Sequence, residues 1–294
     1  MTDDLPTDIL AAVRHLEMTA RRAVDDQLAG RYESVFKGRG MDFEDVRAYQ
    51  PGDDVRVVDW NVSARMNELH VKQFVEEREL TVFILVDISG SQRFGTRRRR
   101  KQDTAAQLAA LLAFAAVEND DRVGLIVFSD DVELCIPPAK GRKHVLRLIR
   151  EILSSDVDHK TTDLGAGLEY LARVGNRRSL AFVISDFLDD DFESPLRIAD
   201  RRHDLVPLVV RDPMEQAIPD MGIVHFEDPE TGDIVPVDTS SDAVRQAYAA
   251  HIERLGRDRR RIFRRLGLDS IVVDNPDDHI EPVIQYFRRR TKRR

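Results

Sequence analysis

The sequence predicts an α/β fold, a doubly wound and mostly parallel six-stranded sheet with helices on both faces, preceded by an N-terminal helix and a short-strand extension. Two observations carry this. From residue 81 onward, short apolar runs rich in branched residues alternate with longer amphipathic stretches, the pattern of βαβ units. The runs 123–128 and 132–136 are separated only by Ser129-Asp130-Asp131, which reads as a hairpin and makes 132–136 an antiparallel edge strand.

In chain order, residues 7–28 read as a helix. Thr7 or Asp8 can cap it, Ile9, Val13, Leu16, Ala20, Val24 and Leu28 recur at helical spacing, and Gly30 ends it. Residues 31–80 are rich in Gly, Asp and Arg, and Pro51-Gly52-Asp53-Asp54 is a turn signal, so short strands and turns are expected here. We divide the chain into 1–78 and 79–294 on this basis. In the second part, strands are expected at 81–86, 123–128, 132–136, 179–185, 204–210 and 270–273. Helices are expected at about 100–118, 142–154, 163–174, 191–202, 241–266 and 279–290. Residues 213–240, rich in Pro, Gly and Asp, read as an insertion or a β-hairpin excursion.

The 294 residues suffice to bury a sizeable core, with 42% apolar and 33% charged residues. No apolar run approaches the ~20 residues of a membrane span, and Met1-Thr2-Asp3-Asp4-Leu5 carries no secretory pattern. Cys135, the only cysteine, excludes an internal disulfide and a thiolate metal cluster. It reads as a small core residue, and a reducing cytoplasm is the expected location. The formal net charge of -8 hides basic runs at Arg97 to Lys101, Arg254 to Arg265 and Arg288 to Arg294. With no interleaved aromatic platform and no nucleic-acid motif, these read as solvated helix faces and a tail, and nucleic-acid binding is not expected.

The run 82–86 leads into Asp87-Ile88-Ser89-Gly90-Ser91, which places one carboxylate and two hydroxyls at a strand tip. Mixed oxygen ligands of this kind suit a hard cation, Mg²⁺ first, with Mn²⁺ or Ca²⁺ as alternatives. Open α/β sheets build their sites outside the carboxyl ends of the strands, where two further loops qualify. One is Asp158 to Leu164, with a hydroxyl from Thr161 or Thr162 before a helix start; the other presents Asp186 directly after the apolar strand ending at Ser185.

Asp87, Ser89, Ser91, Thr162 and Asp186, in this chain order and each after a strand or before a helix, resemble the metal-ion-dependent adhesion site of the von Willebrand factor A-like fold, a Rossmann-like architecture. The resemblance implies that the two Ser and the Thr ligate the metal, that the Asp residues bind it directly or through water, and that a partner's Glu or Asp completes the shell. The upstream segment Arg47-Ala48-Tyr49-Gln50-Pro51-Gly52-Asp53-Asp54 to Asp59-Trp60, followed by Ser63-Ala64-Arg65, is similar to the signature of the domain-of-unknown-function 58 family. Members of that family join such a segment to a von Willebrand A-like domain and accompany MoxR-type AAA+ ATPases. The implied partner is therefore such an ATPase or its client, engaged through an acidic side chain.

Two departures stand out from the adhesion-site pattern. Lys160-Thr161-Thr162 replaces small residues and is expected to crowd or weaken a metal, and Ser185-Asp186-Phe187 replaces Asp-Gly, which changes the turn more than the ligand.

The rival from another class is a Mg²⁺-dependent phosphohydrolase with Asp87 as nucleophile, but no Lys or His sits at a spacing that forces it into the site. Phosphate-loop, nucleophile-elbow and zinc-type motifs are missing as well, so no enzyme activity is expected. Asp189, Asp190 and Asp191 are read as caps of the following helix. Trp60 is read as a packing anchor between the N-terminal segment and the main domain, and Asp53, Asp54, Arg56 and Asp59 as a structural polar network.

Overall fold

The structure is a computed structural model that describes residues 7–24, 28, 32, 41–76, 79–95, 100–155, 161–175, 177–189, 191–228, 231–274 and 278–292. Helix α1 spans Thr7–Ala23. Strand β1 (Met41–Ala48), helix α2 (Trp60–Met66) and strand β2 (His70–Glu76) form the extension, with β1 and β2 antiparallel. The main sheet then begins with β3 (Thr81–Asp87), followed by α3 (Lys101–Glu118), β4 (Arg122–Phe128), β5 (Val132–Ala139), α4 (Arg142–Ser154) and α5 (Leu164–Val174). It continues with β6 (Leu180–Ser185), α6 (Glu193–Arg202), β7 (Asp204–Val210) and a short α7 (Pro213–Gln216). An antiparallel pair, β8 (Ile223–Glu227) and β9 (Ile234–Asp238), precedes the long α8 (Asp242–Leu266), β10 (Ile271–Val273) and α9 (Ile280–Lys292).

The six-stranded sheet has the order β10-β7-β6-β3-β4-β5, parallel throughout except for β5, as the short 129–131 connection requires. Strands β3 and β6 are buried almost end to end because helices cover both faces of the sheet. One face packs Val82, Ile84 and Val86 against α3, α4 and α9, and the other packs Leu85, Phe128 and Val183 against α5, α6 and Phe263 of α8. Each fully buried Leu, Ile, Val or Phe contributes roughly 1.5–3 kcal/mol. Helix α4 shows the amphipathic logic directly, burying Val145, Leu148, Ile149 and Ile152 on one face. Helix α3 differs: it is apolar nearly all round and lies between the sheet and the helices α1 and α4.

The topology positions the site. From β3 the chain moves to β4 and β5 on one side, then returns to β6, β7 and β10 on the other. The carboxyl ends of β3 and β6, adjacent in the sheet, thus flank the point where strand order reverses.

In the extension the carboxylates act as local caps. Asp53 makes a bidentate pair with Arg47 at 2.7 Å, Asp54 accepts from the Arg56 amide, and Asp59 accepts from the amides of Asn61 and Val62 to start α2. Trp60 corrects an expectation. It is the first residue of α2 and 64% exposed, so it is not a packing anchor. Val58 and Val71 are the buried contacts there.

Candidate metal centre

Strand β3 carries Asp87 into the interior, and pairing with β4 continues one residue further, the Ile88 amide donating to the Phe128 carbonyl. The chain then turns in a 3₁₀ segment over Gly90–Arg93. Asp87 fixes this turn: one carboxylate oxygen accepts from the Ser89 amide at 2.9 Å. The other accepts from the Ser185 hydroxyl at 2.6 Å, and the Gln92 carboxamide lies 3.4 Å from it. Ser89 is buried and Ser91 half-buried, their hydroxyl oxygens 3.2 Å apart.

The second loop is tied to β4, since the Asp163 amide donates to the Ser129 carbonyl and the Asp163 side chain caps α5 through the Ala166 amide. That anchorage swings Thr162 inward, where its hydroxyl donates to Ser89 Oγ at 2.7 Å. Thr161 is exposed, which separates the two threonines the sequence left open. Lys160 lies outside the described residues.

The third loop presents Asp186, 1% exposed. Its Oδ1 accepts from the Leu188 amide at 3.1 Å, its Oδ2 accepts from Lys101 Nζ at 2.8 Å, and Ser91 donates to the same carboxylate. Its backbone carbonyl accepts from Arg259 of α8 at 2.5 Å. Phe187 follows with a left-handed φ of 55°, held by edge-on contacts with Phe192 and Phe263 at ring separations of 5.6 and 5.3 Å. Asp189 is no cap of the following helix: it accepts from the Leu164 amide at 2.9 Å and so caps α5, joining the second loop to the third. Asp190 lies outside the described residues.

The five sequence-derived residues therefore converge, and five more join them. Ser185 and Gln92 meet the Asp87 carboxylate, Lys101 pairs with both Asp186 and Glu215, and Arg259 holds the Asp186 backbone carbonyl. Lys101 overturns the sequence expectation of a wholly solvated basic run and of a site without lysine: its side chain is fully buried, and Nζ sits 2.8 Å from Asp186 and 2.6 Å from Glu215. The N-terminal end of α3 brings it there, with Thr104, Ala105 and Leu108 buried on the following turns. Arg97, Arg98 and Arg99 lie outside the described residues. Glu215 is set by its own helix cap, one oxygen accepting from the Asp212 amide and the other facing Lys101.

Electrostatics divide the two acids. Burial, and then the neighbouring Asp186 charge, push the Asp87 carboxyl up to about 7. Burial also raises Asp186, but the Lys101 ammonium outweighs it and holds that carboxyl below its usual range. Burial would lower Lys101, yet Asp186 and Glu215 reverse this and keep it protonated.

Asp87 makes a pH prediction. A carboxyl whose folded pKa is raised stabilises the fold below its unfolded pKa and loses that contribution as pH climbs through the folded value. Between about pH 4 and pH 7 the ion-free protein should therefore lose on the order of a few kcal/mol relative to Asp87→Asn. Urea titrations of both proteins across that range measure the difference; a constant difference contradicts the assignment.

The donor set fits a small hard ion. Among the described residues no three His, Cys, Asp or Glu side chains converge to hold a metal, so an ion here would rest on two carboxylates and three hydroxyls. Adjacent ligands of an octahedral Mg²⁺ with 2.1 Å bonds lie about 3.0 Å apart. The Thr162–Ser89 and Ser89–Ser91 oxygen separations, 2.7 and 3.2 Å, bracket that edge.

Fold and site together define an α/β protein whose mostly parallel sheet carries a buried acid–hydroxyl cluster at its switch point. The chain belongs to the family described as Protein of unknown function DUF58, which matches residues 45–258. It is 31% identical to the uncharacterized protein Rv1480 of Mycobacterium tuberculosis over 287 residues, covering 97% of this chain and 90% of that protein. It is 25% identical to the uncharacterized protein YeaD of Bacillus subtilis over 146 residues, 50% of this chain and 34% of that protein. Among solved structures, the conserved hypothetical protein BatB from Bacteroides thetaiotaomicron superposes with a TM-score of 0.47 at 19% identity, over 72% of this chain and 99% of that one. Among the described residues no helix is long and apolar enough to cross a membrane.

Proposed function

We propose that the protein is a non-enzymatic interaction module of the von Willebrand A-like kind, which binds a divalent cation at an adhesion-type site to capture a partner's carboxylate. The cation is Mg²⁺ by preference, with Mn²⁺ or Ca²⁺ as alternatives. The partner is a MoxR-type AAA+ ATPase or its client, and the setting is cytoplasmic, in protein maturation or a chaperone-like role. Ser89, Ser91 and Thr162 hold the ion, while Asp87 and Asp186 bind it directly or through water. The observation that carries this reading is the convergence of three hydroxyl oxygens, spaced at 2.7 and 3.2 Å, with two buried carboxylates. A bound ion would supply an electrophilic position for an incoming carboxylate.

The phosphohydrolase alternative gains a lysine and loses by the same observation. Lys101 is fully buried and doubly paired, so it is neither presented to a phosphate nor available as a base.

Pull-down of a MoxR-type AAA+ ATPase by the wild-type chain, with Mg²⁺ and again with chelator, tests the reading. Capture is expected only with Mg²⁺, and capture that survives chelation overturns the metal bridge. Saturable phosphatase turnover would instead restore the alternative.

A further inference from the structure

We propose that Lys101 is a cation built into this centre that keeps its affinity for a divalent ion low, so that the ion is held firmly only when a partner adds negative charge. The proposal rests on the metal reading above and goes beyond it, because it assigns a role to a residue outside the ligand set.

The geometry argues for it in three steps. Lys101 is an ammonium with no exposed side-chain surface, and its neighbours are Asp186 at 2.8 Å and Glu215 at 2.6 Å. Taking an ammonium and its carboxylate partners out of water carries a desolvation cost that their attraction only offsets, so the site keeps a positive charge where cation binding alone would favour none. Next, Asp186 has little left to give. Oδ2 faces the ammonium, Oδ1 accepts from the Leu188 amide, and the backbone carbonyl is taken by Arg259. Asp186 is thereby positioned to tune an ion through water or through Ser91 rather than to give it a full negative charge. Last, the charge balance is nearly even: with Asp87 ionised, three carboxylates, Asp87, Asp186 and Glu215, stand with one buried ammonium and the guanidinium of Arg259, a residue 5% exposed. An ion of charge two entering this cluster makes it electropositive, and a partner carboxylate restores neutrality. Partner and ion then bind with positive coupling, each raising the affinity of the other by the same factor.

A purely structural ion pair explains the burial equally well, so the test must read ion affinity and not stability alone. Lys101→Met removes the charge and keeps much of the chain length. Lys101→Gln removes the charge and keeps a hydrogen-bond donor, which guards against a variant that fails to fold. Lys101→Arg keeps the charge. Mn²⁺ affinity would be measured for each folded protein by titration calorimetry and by the ion-dependent shift in melting temperature. The expected result is at least tenfold tighter Mn²⁺ binding in both neutral variants and affinity within about threefold of wild type in Lys101→Arg. Binding by wild type with unchanged or weaker affinity in both neutral variants overturns the role of Lys101 and leaves the metal site standing. No binding by wild type or by either neutral variant removes the metal site itself.

Discussion

Replacing Asp87 with alanine is expected to abolish stabilisation by Mg²⁺ while leaving a folded protein. At an ion concentration a hundred times its dissociation constant, the wild type should gain about 2.7 kcal/mol by mass action alone, and the variant nothing. The asymmetry follows from where the acid sits. Asp87 is fully buried, organises the Ser89 turn and faces Ser185, whereas Asp186, the other acid of the centre, is already paired with Lys101. Its burial also works against the ion-free fold, as its raised pKa records. The variant should thus melt no lower than wild type at pH 8 in chelator by more than the loss of its two short hydrogen bonds, on the order of 1 kcal/mol each. Calorimetric melting with and without Mg²⁺ reads both quantities. A variant that retains the ion-dependent shift would place the ion elsewhere.

The second large effect is expected at Phe187. Truncation to alanine should cost about 3–5 kcal/mol, the range for emptying a buried phenylalanine site. Phe187 is 2% exposed and stacks edge-on with Phe192 and Phe263, which come from the start of α6 and from α8. Its left-handed backbone is unfavourable for any residue with a β-carbon, and those aromatic contacts hold it there. Phe187→Gly separates the two contributions: it loses the same ring but relieves the backbone, so the loss should be smaller than for alanine despite the greater entropy of glycine. Urea denaturation of both variants decides this; a glycine variant less stable than the alanine variant would show that the turn carries no strain.

The comparison of these two residues also explains what could be read in advance. Asp87, Ser89 and Ser91 lie within five residues at the end of an apolar run, and Asp186 ends another, so local pattern sufficed to put them at strand tips. The helix start nearby pointed to Thr161 or Thr162 without separating them, because the choice depends on which hydroxyl the loop turns toward Ser89. The departure at Ser185-Asp186-Phe187 was visible, but the chain keeps the left-handed turn that a glycine would adopt freely and holds it with a ring whose contacts come from residues 192 and 263. Lys101 was hidden for a different reason. It closes a run of arginines, and hydropathy sends every such charge to the surface, whereas its partners Asp186 and Glu215 lie more than eighty residues away. The usable signal was that Lys101 opens a helix otherwise apolar from Ala105 to Val117 except at Gln107, with no polar face of its own on which to sit. Trp60 failed in the opposite sense, because size and apolarity suggested burial for a side chain that stands in solvent.

The grip of Arg259 on the Asp186 carbonyl has a consequence for synthesis. The first acid of the cluster leaves the ribosome with residue 87, but the guanidinium that clasps the third loop follows only with residue 259. At ordinary elongation rates of about 5–20 residues per second, the nascent chain spends roughly ten to thirty seconds with its acidic pocket half built. During that interval Lys101 can already neutralise Asp186 once β6 has joined β3, while the clasp and the Phe263 ring are still to come. The centre therefore matures only after α8 has been made, and a chain cut short before α8 would carry every predicted ion ligand without the frame that holds them still.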